Sequence, residues 1–474
     1  MKRLAQPRTL LLFLGICVAI PLQTATAQSA SDSASASQPL APSNVPTPQA
    51  PPSPTAPQTP PGNPPAPATA PTAFWTRNYL SGDWGGFRDL LKNDGITLTP
   101  IYTGEVFGNP SGGARHGVVT DGLLNTSLDV DFDSLTHGSV KDLTFHVNAF
   151  YIYGPSLTDH FIGGINETSN IAAFNTLRLD ELWVQKLFWD KKLSLKVGNM
   201  AVDNEFFQSN SASLFINASF GTFSLIGSNI RNAPIYPLAA PGVRLQVFPT
   251  AQTYVMAGVY GQDDNSNPAT NNQNGTRFAL NGMSGMLVMS EAGFLLNQGS
   301  NDKGLQGTYR IGSFVDTGNH TTFASQAQFA NGTGQLQSTG TNYGVYGVLD
   351  QQIYSHNNKI VSFFVRSGGA PSNTNFVDYY AEGGFNFTGF VPGRDNDVGG
   401  LAVGRSHVSD DYGDSQILQG NPSSTAETVI EATYKAQLAP WWSLQPDLQY
   451  IVTPSGVQGS RNATVVGLRT TVAF

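Results

Sequence analysis

IEATYKAQLAPWWSLQPDLQYIVTPSGVQGSRNATVVGLRTTVAF, Ile430 to Phe474, is the stretch on which the fold turns. Ile430, Ala432, Tyr434, Ala436 and Leu438 alternate with Glu431, Thr433, Lys435 and Gln437. In the next segment Trp442, Leu444, Leu448, Tyr450 and Val452 stand opposite Ser443, Gln445, Asp447 and Gln449. The last alternates Val466, Leu468, Thr470, Val472 and Phe474 against Gly467, Arg469, Thr471 and Ala473. Successive side chains of a strand point to opposite faces, so each segment reads as a strand with one greasy and one wet face. In hydrocarbon every backbone polar group must be paired internally, and strands achieve this only by closing into a barrel.

The same two-residue rhythm recurs over Phe145–Tyr153, Leu193–Ala201, Val243–Phe248, Thr253–Gly261, Gly307–Asp316 and Ile360–Arg366, between Gly/Asn/Asp/Ser-rich turns. With weaker candidates the count is about sixteen, an even number as bacterial barrels require. The 401 residues from Phe74 to Phe474 keep one texture without a second linker. A soluble β-sandwich also alternates, but such domains usually finish within ~100 to 250 residues. The predicted fold is therefore all-β: a transmembrane antiparallel β-barrel of about sixteen strands, opened by a short N-terminal helix. Asp83 is placed to cap that helix, Leu90 and Leu91 to give it an apolar face, and Gly95 to end it. Trp441-Trp442, Tyr379-Tyr380, Tyr254, Tyr260 and Tyr450 fall near strand ends, where girdle aromatics meet the headgroups.

Upstream the texture differs. Lys2, Arg3 and Arg8 precede an apolar run from Leu10 to Leu22, and Ala25-Thr26-Ala27 follows with a small-x-small pattern. Residues 1–27 thus read as a cleaved secretory signal peptide, with the mature chain starting near Gln28. A lipid anchor on Cys17 is not expected, because Ile16 stands where a lipoprotein signal needs a small residue. Removing the leader removes the single cysteine and takes the formal charge from −8 to −11. A thiol-free mature chain has no disulfide and no Cys-ligated metal, and an acidic balance argues against a nucleic-acid partner. Residues 28–73 carry fourteen of the 30 prolines and almost nothing to bury, which predicts a disordered tether. Residues 74–474 form the barrel domain in this reading. No later stretch approaches the ~18 apolar residues of a spanning helix, and charged residues are only 12% of the chain.

Enzyme chemistry finds little support. The seven histidines show no HExxH spacing, and no GxSxG elbow or Walker loop occurs. His146 and His160 lie near serines without a hydrolase motif. The acidic clusters Asp263-Asp264 and Asp410-Asp411 with Asp414 could offer oxygen ligands to Ca²⁺, but they read as polar loops, so no cofactor or metal is expected.

Several ordered blocks bring in a family: GDWGGFRDLLKNDGITL (Gly82–Leu98), RLDELWVQ (Arg178–Gln185), EFFQSNSASLFINASFG (Glu205–Gly221), YPLAAPGVRLQV (Tyr236–Val247), GTYRIGSFVDTG (Gly307–Gly318) and WWSLQPDLQYIVTP (Trp441–Pro454). The series resembles the OprB family of carbohydrate-selective outer-membrane porins across Phe74–Phe474. The ending of the chain on Phe474 also resembles the recognition strand that outer-membrane proteins offer to the barrel assembly machinery. The resemblance implies a sixteen-stranded barrel in the outer membrane of a Gram-negative bacterium. It would pass glucose and similar sugars passively through a constriction lined by arginines and acids, with loops folded inward. A general or ion-selective porin without sugar preference is the competing reading, and a homotrimer in the membrane lipid stays open.

Alternation nominates the lining. In RLDELWVQ, Arg178 and Asp180 share one face while Glu181, Trp183 and Gln185 share the other. Glu181, Trp183 and Gln185 are expected in the lumen, with Arg178 admitted by an irregularity at the strand start. Arg244 opposes Val243 and Leu245 and should point inward. Lys196, Arg310, Asp316, Glu431, Lys435, Asp447 and Arg469 fall on the wet side by the same test. Glu205, before Phe206-Phe207 in a loop, could fold into the constriction. Arg88 is expected to pin the N-terminal helix to the barrel.

Overall fold

The structure is a computed structural model that describes residues 74–262, 267–278, 285–299 and 302–474. The leader and tether, and with them Asp263-Asp264, lie outside the described residues. The alternating segments form sixteen strands: β1 (Ile96–Ser111), β2 (Gly117–Asp131), β3 (Leu143–Tyr153), β4 (Thr176–Phe188), β5 (Leu193–Met200), β6 (Ala240–Thr250), β7 (Thr253–Gln262) and β8 (Gly285–Leu296) make one half. The other half is β9 (Gly307–Asp316), β10 (Asn342–His356), β11 (Lys359–Gly369), β12 (Val377–Thr388), β13 (Val398–Val408), β14 (Ala426–Ala439), β15 (Trp442–Val452) and β16 (Ala463–Ala473). Each is antiparallel to its neighbours in sequence, and β1 pairs with β16, Glu105 opposite Arg469, to close the barrel. The two-faced pattern is realised along β14, where Glu431 is 0% exposed inside and Ile430 is 41% exposed outside.

One rim carries tight turns. Asn357 and Asn358, between β10 and β11, take φ of 47° and 63°, the left-handed pair that two-residue hairpins favour. The other rim carries the longer connections 154–175, 201–239, 317–341 and 409–425. Short turns mark the periplasmic end of such barrels and long loops the extracellular end. The helix α1 (Phe87–Asn93) sits at the periplasmic rim, where Arg88 donates to the Phe474 carbonyl at 2.8 Å, as the sequence leads one to expect. Asp83 does not cap it: its carboxylate accepts from the Gly85 amide at 3.1 Å in the preceding turn, and Gly86 holds the cap position. Gly95 follows the helix end at φ 80°.

The interior departs from a uniformly wet wall. The segment 201–239 folds into the barrel and buries Phe206, Phe207, Phe223, Leu225 and Ile226 against Tyr254, Met256, Tyr260, Leu287, Met289, Phe314, Tyr346 and Tyr380. Leu157 and Ile162 from 154–175 pack with Phe215, Ile216 and Phe220 against Phe107, Val119, Phe364 and Ile451. Tyr254, Tyr260 and Tyr380 are thus core residues inside the barrel and not girdle residues. Their inward faces are apolar because a phenylalanine-rich loop, not water, covers them. Tyr379 and Tyr450 do face outward, 51% and 42% exposed.

Candidate functional site

The β4 strand sets the geometry. Val147 of β3 lies opposite Leu182, but Ala149 lies opposite Leu179, so β4 carries one extra residue at Asp180–Glu181. A bulge of this kind breaks the alternation and re-aims side chains. Asp180 and Glu181 are consequently both buried, with Arg178 on one side of them and Trp183 on the other. The irregularity expected at the strand start is real but sits in mid-strand, and it admits Asp180 as well as Arg178.

Downstream of the bulge the register aligns Gln185 with Lys196 and Lys196 with Arg244 across β4, β5 and β6. Trp183 lies opposite Gly198, whose backbone approach leaves no space for a side chain: a Cβ there would come within 2.2 Å of the Leu182 carbonyl. The 3₁₀ turn Val202–Asn204 brings Glu205 back onto this row. Its carboxylate pairs with both Lys196 and Arg244. Arg244 also donates to Gln185 Oε1 at 3.1 Å and Ser194 Oγ at 2.7 Å. The Lys196 ammonium stands 3.9 Å from the Trp183 ring centroid, and that ring stacks on His146 at 4.7 Å. His146 Nδ1 contacts Asp129 at 2.7 Å. A continuous polar and aromatic array therefore runs from Asp129 to Gln185. Trp183 supplies an aromatic face, Lys196 and Arg244 supply donors, and Glu205 supplies acceptors.

Burial pushes the Glu205 carboxyl up, but the Lys196 and Arg244 charges outweigh it and hold the group at about 2. In the same loop burial drives Asp203 up to about 6, against the Tyr236 amide and Thr222 hydroxyl that hydrogen-bond it. Two carboxylates two residues apart thus differ because only one meets cations.

Of the residues nominated by sequence, Trp183, Lys196, Glu205 and Arg244 come together. Glu181 flanks them, its Oε1 accepting from the Ala201 amide at 3.0 Å. Arg178 lies beyond, its guanidinium 5.3 Å from the Phe174 ring. Arg310, Glu431 and Asp447 are placed elsewhere on the inner wall, along the path of the segment 205–221. That segment runs round the inside of the barrel and is hydrogen-bonded to the wall in succession. The Phe207 amide donates to Glu291 at 2.8 Å, and Arg310 donates to the Gln208 carbonyl. Ser209 and the Ser211 amide donate to Asp350 at 2.7 and 3.1 Å. The Ile216 and Asn217 amides donate to Glu431 at 2.6 and 2.8 Å, while the neighbouring Asp447 accepts from Gln449 at 2.9 Å. Glu291, Asp350, Arg366 and Glu382 were not singled out from sequence, although alternation put Arg366 on the Ile360–Arg366 strand. A cavity of about 100 Å³ opens between this loop and the wall, lined by Asn210, Ser211, Gln298, Thr308, Asp350 and Gln352. Asp410 and Asp411 open a helix, Asp410–Leu418, with Asp411 accepting from Ser372.

Comparison with known proteins agrees with this architecture. Residues 115–474 match a family model described as carbohydrate-selective porin, OprB family. Porin B of Pseudomonas aeruginosa is 26% identical over 441 residues, covering 86% of this chain and 93% of that protein. A putative porin, QuiX, of Acinetobacter baylyi is 25% identical over 429 residues, covering 85% of this chain and 94% of that one. The high-pH structure of Pseudomonas putida OprB superposes with a TM-score of 0.78 at 25% identity, covering 85% of this chain and all of that chain.

Proposed function

We propose that this chain, which belongs to the OprB family of carbohydrate-selective porins, passes neutral sugars down their gradient across the outer membrane through a constriction centred on Glu205. The observation that carries the reading is the row of Lys196, Glu205 and Arg244 beside Trp183, four groups drawn from three strands and a loop. A sugar is an uncharged polyol whose hydroxyls both donate and accept. Lys196 and Arg244 donate to it, Glu205 accepts from it, and the Trp183 face meets its C–H surface. The ion pairs hold these groups in place before the sugar arrives, and contacts of this kind stay weak enough for release. Arg178, Glu181, Arg310, Glu431 and Asp447 act in this reading as the frame that shapes the passage. Residues 1–27 direct export and are removed, 28–73 form a spacer, and β16 with the Phe474 that follows it is handed to the assembly machinery.

Proteoliposome swelling tests the proposal. Glucose and other monosaccharides enter faster than uncharged non-sugar solutes of equal mass; rates ordered by size alone would leave a general porin. Trp183→Ala is expected to weaken sugar affinity by about tenfold, the loss of roughly 1.4 kcal/mol of ring contact, with ionic conductance retained. Titration of the sugar-induced current block checks this.

The pH dependence follows from Glu205. Its folded pKa lies below the ordinary carboxylate value, so its favourable contribution is complete above about 4.5 and lost as pH falls toward about 2. Sugar block is therefore expected to be flat from pH 7 to about 5 and to fade only below about 3. A block that halves between pH 7 and 5 would assign the site to other groups.

A further inference from the structure

Six arginines lie on strands, and five of them, Arg178, Arg244, Arg310, Arg366 and Arg469, are buried or partly buried on the inner side. The sixth, Arg405 of β13, is exposed and faces outward, between Leu401 and Val403 below it and His407 above. It stands in register with Ala381 of β12 and Thr428 of β14. Its Nη1 donates to Thr428 Oγ1 at 2.9 Å. His407 is likewise on the outer face, its side chain 36% exposed and its Nδ1 2.7 Å from Asp378, whose carboxylate it occupies. Tyr379, opposite His407, is exposed and accepts from Ser367 at 3.1 Å.

The height of this group is fixed by the fold. β13 ends at Val408 and continues into the long loop 409–425, so Arg405 lies in the extracellular half of the wall. Tyr343, Tyr379 and Tyr450 are outward tyrosines near the same rim, at the level where girdle aromatics meet headgroups. A permanently charged guanidinium facing lipid is unfavourable unless it meets water or an anion, and its planar fork matches phosphate. Ala381 next to it is small, and the hydroxyls of Thr428 and Tyr379 add neutral donors without adding an unpaired negative charge.

We propose that Arg405, with His407, Thr428 and Tyr379, forms a docking site on the outer wall for the phosphate of a phosphorylated glycolipid in the extracellular leaflet. The occupant is a lipid headgroup because the site opens to the bilayer and not to the lumen. The site is separate from the sugar passage, so occupancy and sugar permeation can be measured independently.

The test uses the full barrel in nanodiscs of phosphatidylcholine doped with bisphosphorylated lipid A, or with the same lipid A after removal of its phosphates. Native mass spectrometry counts lipid A retained per barrel. Retention of the phosphorylated form is expected to exceed that of the dephosphorylated form, and Arg405→Gln to lower it about fivefold, the ~1 kcal/mol of one cation near an anionic surface. Arg405→Lys, which keeps charge but loses the fork, falls between the two. Sugar block in Arg405→Gln stays at the wild-type value, which shows that the variant is folded. Equal retention of the two lipids, or wild-type retention by Arg405→Gln, overturns the proposal. So does displacement of the lipid by millimolar inorganic phosphate, which would mark a free-anion site. Loss of a protein oligomer in Arg405→Gln with lipid retention unchanged would instead assign the face to contact between copies of this chain.

Discussion

Arg366→Met is expected to free the inward-folded loop and raise single-channel conductance while leaving the barrel closed. Arg366 is 1% exposed, and one guanidinium gathers four loop carbonyls. Nη1 donates to Phe207 at 3.0 Å and Gly221 at 2.8 Å; Nη2 donates to Ser219 at 3.3 Å and Phe220 at 2.6 Å. Nε pairs with Glu382 at 2.5 Å, and Glu382 in turn accepts from Tyr380. Removing the cation orphans a buried carboxylate and releases both ends of the segment 207–221 at once, a loss of about 3–5 kcal/mol. The wall survives because its ladder of backbone hydrogen bonds does not involve this side chain. Hydrogen exchange should show protection lost in 201–239 and kept in β10–β12. Adding Glu382→Gln should recover part of the loss, because the orphaned charge disappears with it. Wild-type conductance and wild-type loop protection in Arg366→Met would show that the loop is held by its phenylalanines alone.

Arg244→Ala is expected to weaken sugar affinity by about 10- to 100-fold, the equivalent of roughly 1.5–3 kcal/mol for hydrogen bonds to a charged group. The effect has two sources. The guanidinium proposed to meet a sugar hydroxyl is gone, and Glu205 keeps only Lys196 as an ion-pair partner among the described residues. The lumen also gains net negative charge, so reversal potentials should shift toward cation preference. Arg244→Lys should keep the ion selectivity and recover only part of the affinity, since a point charge cannot hold Glu205, Gln185 and Ser194 together as the planar fork does. Unchanged sugar affinity in Arg244→Ala, with reversal potentials shifted as expected, would move the sugar contact away from this row.

Much of the wall was legible because alternation is written into every strand: Gly307–Asp316 has the predicted bounds, and Glu431, Lys196, Arg244 and Arg469 turn inward as their apolar neighbours require. The bulge in β4 was half legible. RLDELWVQ cannot place Arg178, Asp180, Glu181 and Trp183 on one face without an extra residue, but its position emerges only when β3 supplies the partner register. Tyr254 and Tyr260 were misplaced for a different reason. Their face also holds Met256, the opposite face holds Val255 and Val259, and a strand apolar on both sides carries no signal of which side meets lipid. The loop anchors were illegible: the pairing of Arg366 with carbonyls of residues 207 to 221 joins positions about 150 residues apart, set by how a long segment folds back.

Titration of glucose against the ion current of single reconstituted barrels addresses the constriction most directly. The expected trace is a reversible, saturable and partial block at millimolar sugar, strongest in wild type and weakened in both Trp183→Ala and Arg244→Ala. Normal ohmic steps that no mono- or disaccharide disturbs would contradict a sugar site at Glu205 while leaving the sixteen-stranded channel standing.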